Sequence, residues 1–259
     1  EMNASGGGIL TTNGITLTQG ASGVIEAQAG SQVRLTNSTV IGGDLFSSGD
    51  GFVGVVGTST LTGVNFDGRL DIPGSYTLNI SNSITNDGII NLNTNASGFV
   101  TTINVLDDSS FSGSGEIVMA GSGTRALLKT TNAMLTNTTN HTTHGFGQIQ
   151  AALVNNGTVA ADSDGNTLVL ISNPKTNNAQ MNASGGGILE VNGITLTQSS
   201  AGTVEAQAGS RVQLKNSTVI GGALSSSGDG FVDINGASTL TGVDFSGRLD
   251  IPGSYTLNM

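Results

Sequence analysis

Cysteine and tryptophan are absent from this 259-residue chain, proline occurs three times, and the aromatic residues are 8 Phe and 2 Tyr. Without cysteine no disulfide framework can hold the fold, so a continuous backbone ladder has to do that work. Charged residues make up only 10%. A disordered chain of this length would carry more charge and more proline, and here Val, Ile and Leu recur at regular intervals. The 18 acidic against 8 basic residues leave a net charge of −10, which argues against nucleic acid and against an anionic membrane surface as partners. No window approaches the roughly 20 consecutive apolar residues of a membrane helix, so no membrane insertion by this segment is expected. No positively charged leader opens the chain, and residue 1 reads as an internal point of a longer or processed protein.

What the chain does have is glycine, at 40 positions, and a long internal repeat. The stretch from Met2 to Asn79 returns without a gap as Met181 to Asn258, an offset of 179 residues, with about 60 of the 78 paired positions identical. Residues 1–180 therefore read as one full cycle and residues 181–259 as the start of the next, in one continuous structure. The differences between the copies sort by side-chain direction. Thr11 becomes Glu190, Gln32 becomes Arg211, Arg34 becomes Gln213, Thr36 becomes Lys215 and Gly54 becomes Asp233, all exchanges that solvent tolerates. The neighbouring Leu10, Val33 and Leu35 are kept as Leu189, Val212 and Leu214, and Val55 changes only to Ile234. Those positions behave as a packed interior, where volume changes are felt. Phe46 is the exception, since it becomes Ser225, and it reads as exposed or at a rim.

Apolar residues come in short triplets with a polar residue between them, as in Leu189-Glu190-Val191, Val212-Gln213-Leu214 and Val232-Asp233-Ile234. This is the period-2 mark of strands with one buried face. Turn clusters such as Asn192-Gly193 and Gly221-Gly222 separate them. Short strands at this spacing suit a sandwich, a barrel or a solenoid. A closed sandwich has no reason to reproduce its first 78 residues one cycle later, whereas a solenoid is extended by copying any block of coils. The expectation is an all-β fold, a parallel β-solenoid with about 20 to 25 residues per coil, seven to nine coils per cycle and a rod about 50 to 60 Å long. Arg125 to Leu135 shows a hint of helical spacing, but its Thr and Asn density disfavours a helix.

The run GFGQIQAALVNNGTVAADSDGNTLVL, Gly145 to Leu170, with SNSITNDGIINLN, Ser81 to Asn93, resembles the passages that recur in large bacterial surface proteins of the autotransporter-like and filamentous haemagglutinin-like β-strand-repeat type. The resemblance implies export to the cell surface or the extracellular medium, a right-handed parallel β-helix, and a role as stalk, fibre or adhesin. Neighbouring copies of the same repeat, joined end to end or laterally, are then the expected partners, with a host or cell-surface glycan as another.

The rival class is a glycan-binding or glycan-cleaving β-helix of the tailspike or lyase type, which needs clustered carboxylates in a groove. Asp44, Asp50, Asp67 and Asp71 are the candidates, but Asp44 and Asp67 become Ala223 and Ser246 in the second copy. Arg69 and Asp71 recur as Arg248 and Asp250 and read as an outward ion pair. Asp162-Ser163-Asp164-Gly165-Asn166 alternates oxygen ligands around a glycine but lacks the rest of a calcium loop, so a plain turn is expected. His141 and His144, the two histidines, read as exposed loop residues with no carboxylate nearby to complete a metal site. Asn-x-Ser/Thr triplets, at Asn3, Asn137 and Asn182 among others, arise from composition. No catalytic, cofactor-binding or metal-ligating residue is assigned and no enzyme activity is expected.

Overall fold

Alternation puts every second side chain of a short strand inside, and a glycine-rich turn after each strand lets the chain close a coil within about 21 residues. In the computed structural model, which describes residues 1–95 and 98–259, the result is a parallel β-solenoid of about 12 turns with no helix. Arg125 to Leu135 is no exception, carrying the strand Ala126–Thr130 and the start of Met134–Asn137. Each coil contributes three strands, one to each face, and each strand pairs in parallel with those one coil below and one coil above. At about 4.8 Å per coil the rod is about 60 Å long.

The interior is a set of stacked apolar columns. On the second face Leu10, Val33, Val53, Leu70, Ile90 and Ile117 follow one another in register from coil to coil. All but Leu10, in the first coil, are completely buried, each worth about 2 kcal/mol of transfer free energy. Leu10 is half-buried because only one side of it meets another coil. The other end behaves alike. Ile72 is fully buried under the next coil, whereas its counterpart Ile251 is 45% exposed.

One strand departs from the pattern of one strand per face. Thr142–Ile149 runs over two faces without a turn, pairing first with Glu116–Ala120 and then with Ala126–Thr130. The bend falls at Gly145 and Gly147, whose φ values are 101° and 145°. A Cβ on Gly145 would sit 2.1 Å from the Met119 carbonyl oxygen, and one on Gly147 would sit 2.6 Å from that of Ala126. The Gly-Phe-Gly spacing is therefore what lets the strand round the corner.

The two copies match strand for strand. Val24–Ala27, Gln32–Thr36, Thr39–Ile41 and Phe52–Val56 reappear as Thr203–Ala206, Arg211–Lys215, Thr218–Ile220 and Phe231–Asn235. Val33, Leu35 and Val55 fill the same fully buried sites as Val212, Leu214 and Ile234. The copies are nevertheless out of phase. Lys175–Asn177 is the ninth strand on the first face, eight turns above Met2–Ala4, and the counterpart of Met2–Ala4 is the next strand, Gln180–Ala183, on the second face. One cycle is thus eight turns and a third. Everything the first copy shows on one face, the second copy shows on the next.

Polar residues line one interior corner. Asn137, Asn155, Asn177 and Gln198 stack in register at the ends of successive first-face strands. Asn137 Nδ2 donates to Asn155 Oδ1 at 2.8 Å, Asn155 Nδ2 to Asn177 Oδ1 at 2.9 Å, and Asn177 Nδ2 to Gln198 Oε1 at 3.1 Å. The same amides also donate to the carbonyls of His141, Gly157, Gln180 and Thr203 at the corner. Buried backbone groups need such partners.

Candidate functional site

The two histidines differ from the sequence expectation. His141 is completely buried, stacked on Phe111 with ring centroids 5.5 Å apart. Its Nδ1 lies 2.6 Å from Asn137 Oδ1, and its Nε2 lies 3.0 Å from Asn86 Nδ2. Since Asn137 spends its amide hydrogens on Asn155 and backbone carbonyls, Nδ1 carries the proton and Nε2 accepts from Asn86. Burial pushes the imidazole down to about 4, so the ring is neutral at pH 7. His144 lies on a strand, not in a loop. Its Nδ1 is 2.7 Å from Asp162 Oδ2 and its Nε2 is 3.3 Å from Glu116 Oε2. Coil stacking supplies these carboxylates from residues 28 before and 18 after it in sequence. They sit on opposite edges of the ring and do not converge. Among the described residues no group of three His, Cys, Asp or Glu is placed to hold a metal ion.

His141 makes a pH prediction. Its folded value of about 4 lies below the unfolded value of 6.5, so between these limits only the unfolded chain takes up the proton. Stability is fully present above pH 6.5 and declines by about 3 kcal/mol as pH falls to 4. Urea unfolding from pH 7 to 4 should show this fall, and His141→Gln should reduce it.

The candidate carboxylates separate. Asp50 accepts from the Gly30 N–H at 2.6 Å and staples two turns together, as Asp229 does with Gly209. Asp71 is held by Arg69 through Nε at 2.9 Å and Nη2 at 2.5 Å. Arg248 and Asp250 repeat this at 3.0 and 2.5 Å, so the outward ion pair is present in both copies. In the first, hydrogen bonding to Asp71 raises the guanidinium pKa. Asp44 and Asp67 meet Asp87 in a first-face cleft of about 350 Å³ beside the outward-facing Phe46. Each has a local donor. Asp44 accepts from Asn65 Nδ2, Asp67 from the Gly68 N–H and Asp87 from the Ser114 N–H. The 162–166 segment forms a turn, with Gly165 at φ 65° and the Asn166 N–H donating to the Ser163 carbonyl. Asn137 and Asn182, in Asn-x-Ser/Thr triplets, are buried.

A second-face groove of about 730 Å³ lies in the first copy. Thr11, Asn13, Gln32, Arg34, Thr36, Phe52, Val56, Asp71 and Tyr76 form its floor and walls, with Gly54 at the centre. Strand alternation aims Gln32, Arg34 and Thr36 outward, and the register sets Phe52 beside Gln32 and Gly54 beside Arg34. Arg69 crosses the Phe52 ring at 5.3 Å. Arg34 Nη2 donates to Gln32 Oε1 at 3.0 Å.

Comparison with family models, characterised sequences and solved structures finds no match. The functional reading therefore rests on geometry and chemistry. The groove escaped the sequence reading, although its signal was present in the exchange of Gly54 for Asp233.

Proposed function

We propose that this chain is a structural and adhesive segment of an extracellular fibre, a repetitive β-helical stalk of a bacterial surface protein. The observation that carries the reading is the unbroken stack of coils across the junction between cycles, with the interior columns kept and the outward residues free to drift. A solenoid grows by adding coils, and each added coil covers the apolar end of the one before. In the isolated chain those ends expose Met2, Ile9 and Ile15 at one side and Ile251, Tyr255 and Met259 at the other. Neighbouring copies that meet there, end to end, bury that surface and pair the open strand edges. Because one cycle is eight turns and a third, three cycles make 25 whole turns, and tandem copies present the same surface in three directions around the axis.

Adding one further 179-residue cycle should lengthen the particle by about 40 Å at constant width, measured by small-angle scattering or electron microscopy. Antibodies raised against the chain should label intact cells of the producing organism. A length that does not grow with the cycle count, or a protein confined inside the cell, would sink the stalk reading.

A further inference from the structure

We propose that the second-face groove around Gly54 binds a saccharide bearing a carboxylate, and that the matching surface of the second copy does not. The proposal deepens the adhesive side of the function above and rests on it. Its evidence is the contrast between two copies of one surface on near-identical scaffolds.

In the first copy residue 54 is a buried glycine in the groove, and the Gln32 side chain lies over it. A Cβ there would come within 2.5 Å of Gln32 Nε2. In the second copy Asp233 takes this position. It accepts from Gln213 Nε2 at 2.8 Å and lies 3.9 Å from Arg211 Nη1. Lys215 and Glu190 close the next row at 4.0 Å, where the first copy has Thr36 and Thr11. One surface is a cleft, and the other is a mat of paired charges.

The cleft keeps an uncompensated cation. Among the described residues no carboxylate lies within ion-pair distance of Arg34, and its one side-chain hydrogen bond goes to a neutral amide. Asp71, across Gly54, is already neutralised by Arg69. A guanidinium fork with donors to spare matches a carboxylate in two parallel hydrogen bonds. The Tyr76 ring on the groove wall offers apolar surface for the C–H face of a pyranose, and the amides of Gln32 and Asn13 suit its hydroxyls. In a chain of net charge −10, an anion needs a local, shaped cation to be held at all.

The test titrates the intact chain with tetragalacturonate, with neutral maltotetraose and with sodium sulfate, by calorimetry or by chemical-shift changes. The triple variant Gln32→Arg, Arg34→Gln, Gly54→Asp installs what the second copy carries on the same backbone, so it should fold. One tetragalacturonate per chain, binding at least about tenfold tighter than maltotetraose or sulfate and lost in the triple variant, is the expected result. Arg34→Gln alone should remove the preference for the acidic sugar. Equal binding of both sugars, sulfate as effective as the tetrasaccharide, binding unchanged in the triple variant, or no binding would each overturn the proposal. The stalk reading is tested separately by particle length and surface labelling, so either can fail alone.

Discussion

Raising the pH from 7 to 10.5 should stabilise this protein by about 5 kcal/mol, and Lys175→Leu should abolish most of that gain. Lys175 is 1% exposed, in a column whose neighbours in the coils below and above are Leu153 and Leu196. Its Nζ donates to the carbonyls of Ile171 at 3.0 Å and Asn173 at 2.6 Å, but among the described residues no carboxylate pairs with it. Burial pushes the ammonium down to about 7 from 10.5. Between those values the unfolded chain holds a proton that the folded chain has lost, so stability rises with pH. Below the folded value the ammonium is charged in both states, and the desolvation penalty is felt in full. Leucine removes that penalty and continues the column, at the cost of the two Nζ hydrogen bonds, of which the Ile171 carbonyl keeps a second donor in the Asn173 N–H. Denaturant unfolding of both proteins from pH 6 to 10.5 checks this. Parallel curves would show that Lys175 reaches water when folded.

Cutting the polar ladder at Asn155 should cost about 3 to 5 kcal/mol. Asn155 is completely buried. Its amide donates to Gly157 O, Gln180 O and Asn177 Oδ1, and its oxygen accepts from Asn137. Asn155→Leu fits the volume but removes all four of these hydrogen bonds from the buried corner and breaks the ladder between Asn137 and Asn177. The outward-facing neighbour Asn178 makes one amide bond, to Asn156 Oδ1 at 2.8 Å, and Asn178→Ala should cost under about 1 kcal/mol. Because coils touch only their neighbours, the damage should stay local. Hydrogen exchange should rise first between residues 134 and 198 while the coils around Val33 and Leu70 keep their protection. A uniform rise along the chain would contradict a nearest-neighbour stack.

Much of the interior was legible in the chain itself. Inward or outward direction within a strand is a matter of alternation between adjacent residues, so Val33, Leu35 and Val55 declared themselves, and their retention in the second copy marked them as packed. The repeat likewise declared a structure that can be lengthened by copying. Corners and coil-to-coil neighbours are another matter. At a corner the alternation breaks, which is how His141, read as a loop residue, came to lie against Phe111. Lys175 stands two residues before a ladder asparagine, as Leu153 does before Asn155, and that shared spacing was its one signal of burial.

Which residues meet across coils depends on the residue count of every coil between them, and an error of one residue changes every pairing. Only the tertiary structure could therefore place His144 between Glu116 and Asp162, set Gly54 between Arg34 and Asp71, and rotate the second copy by a third of a turn. Alternation is local and written in the sequence. Stacking phase accumulates over the whole coil, and the folded backbone decides it.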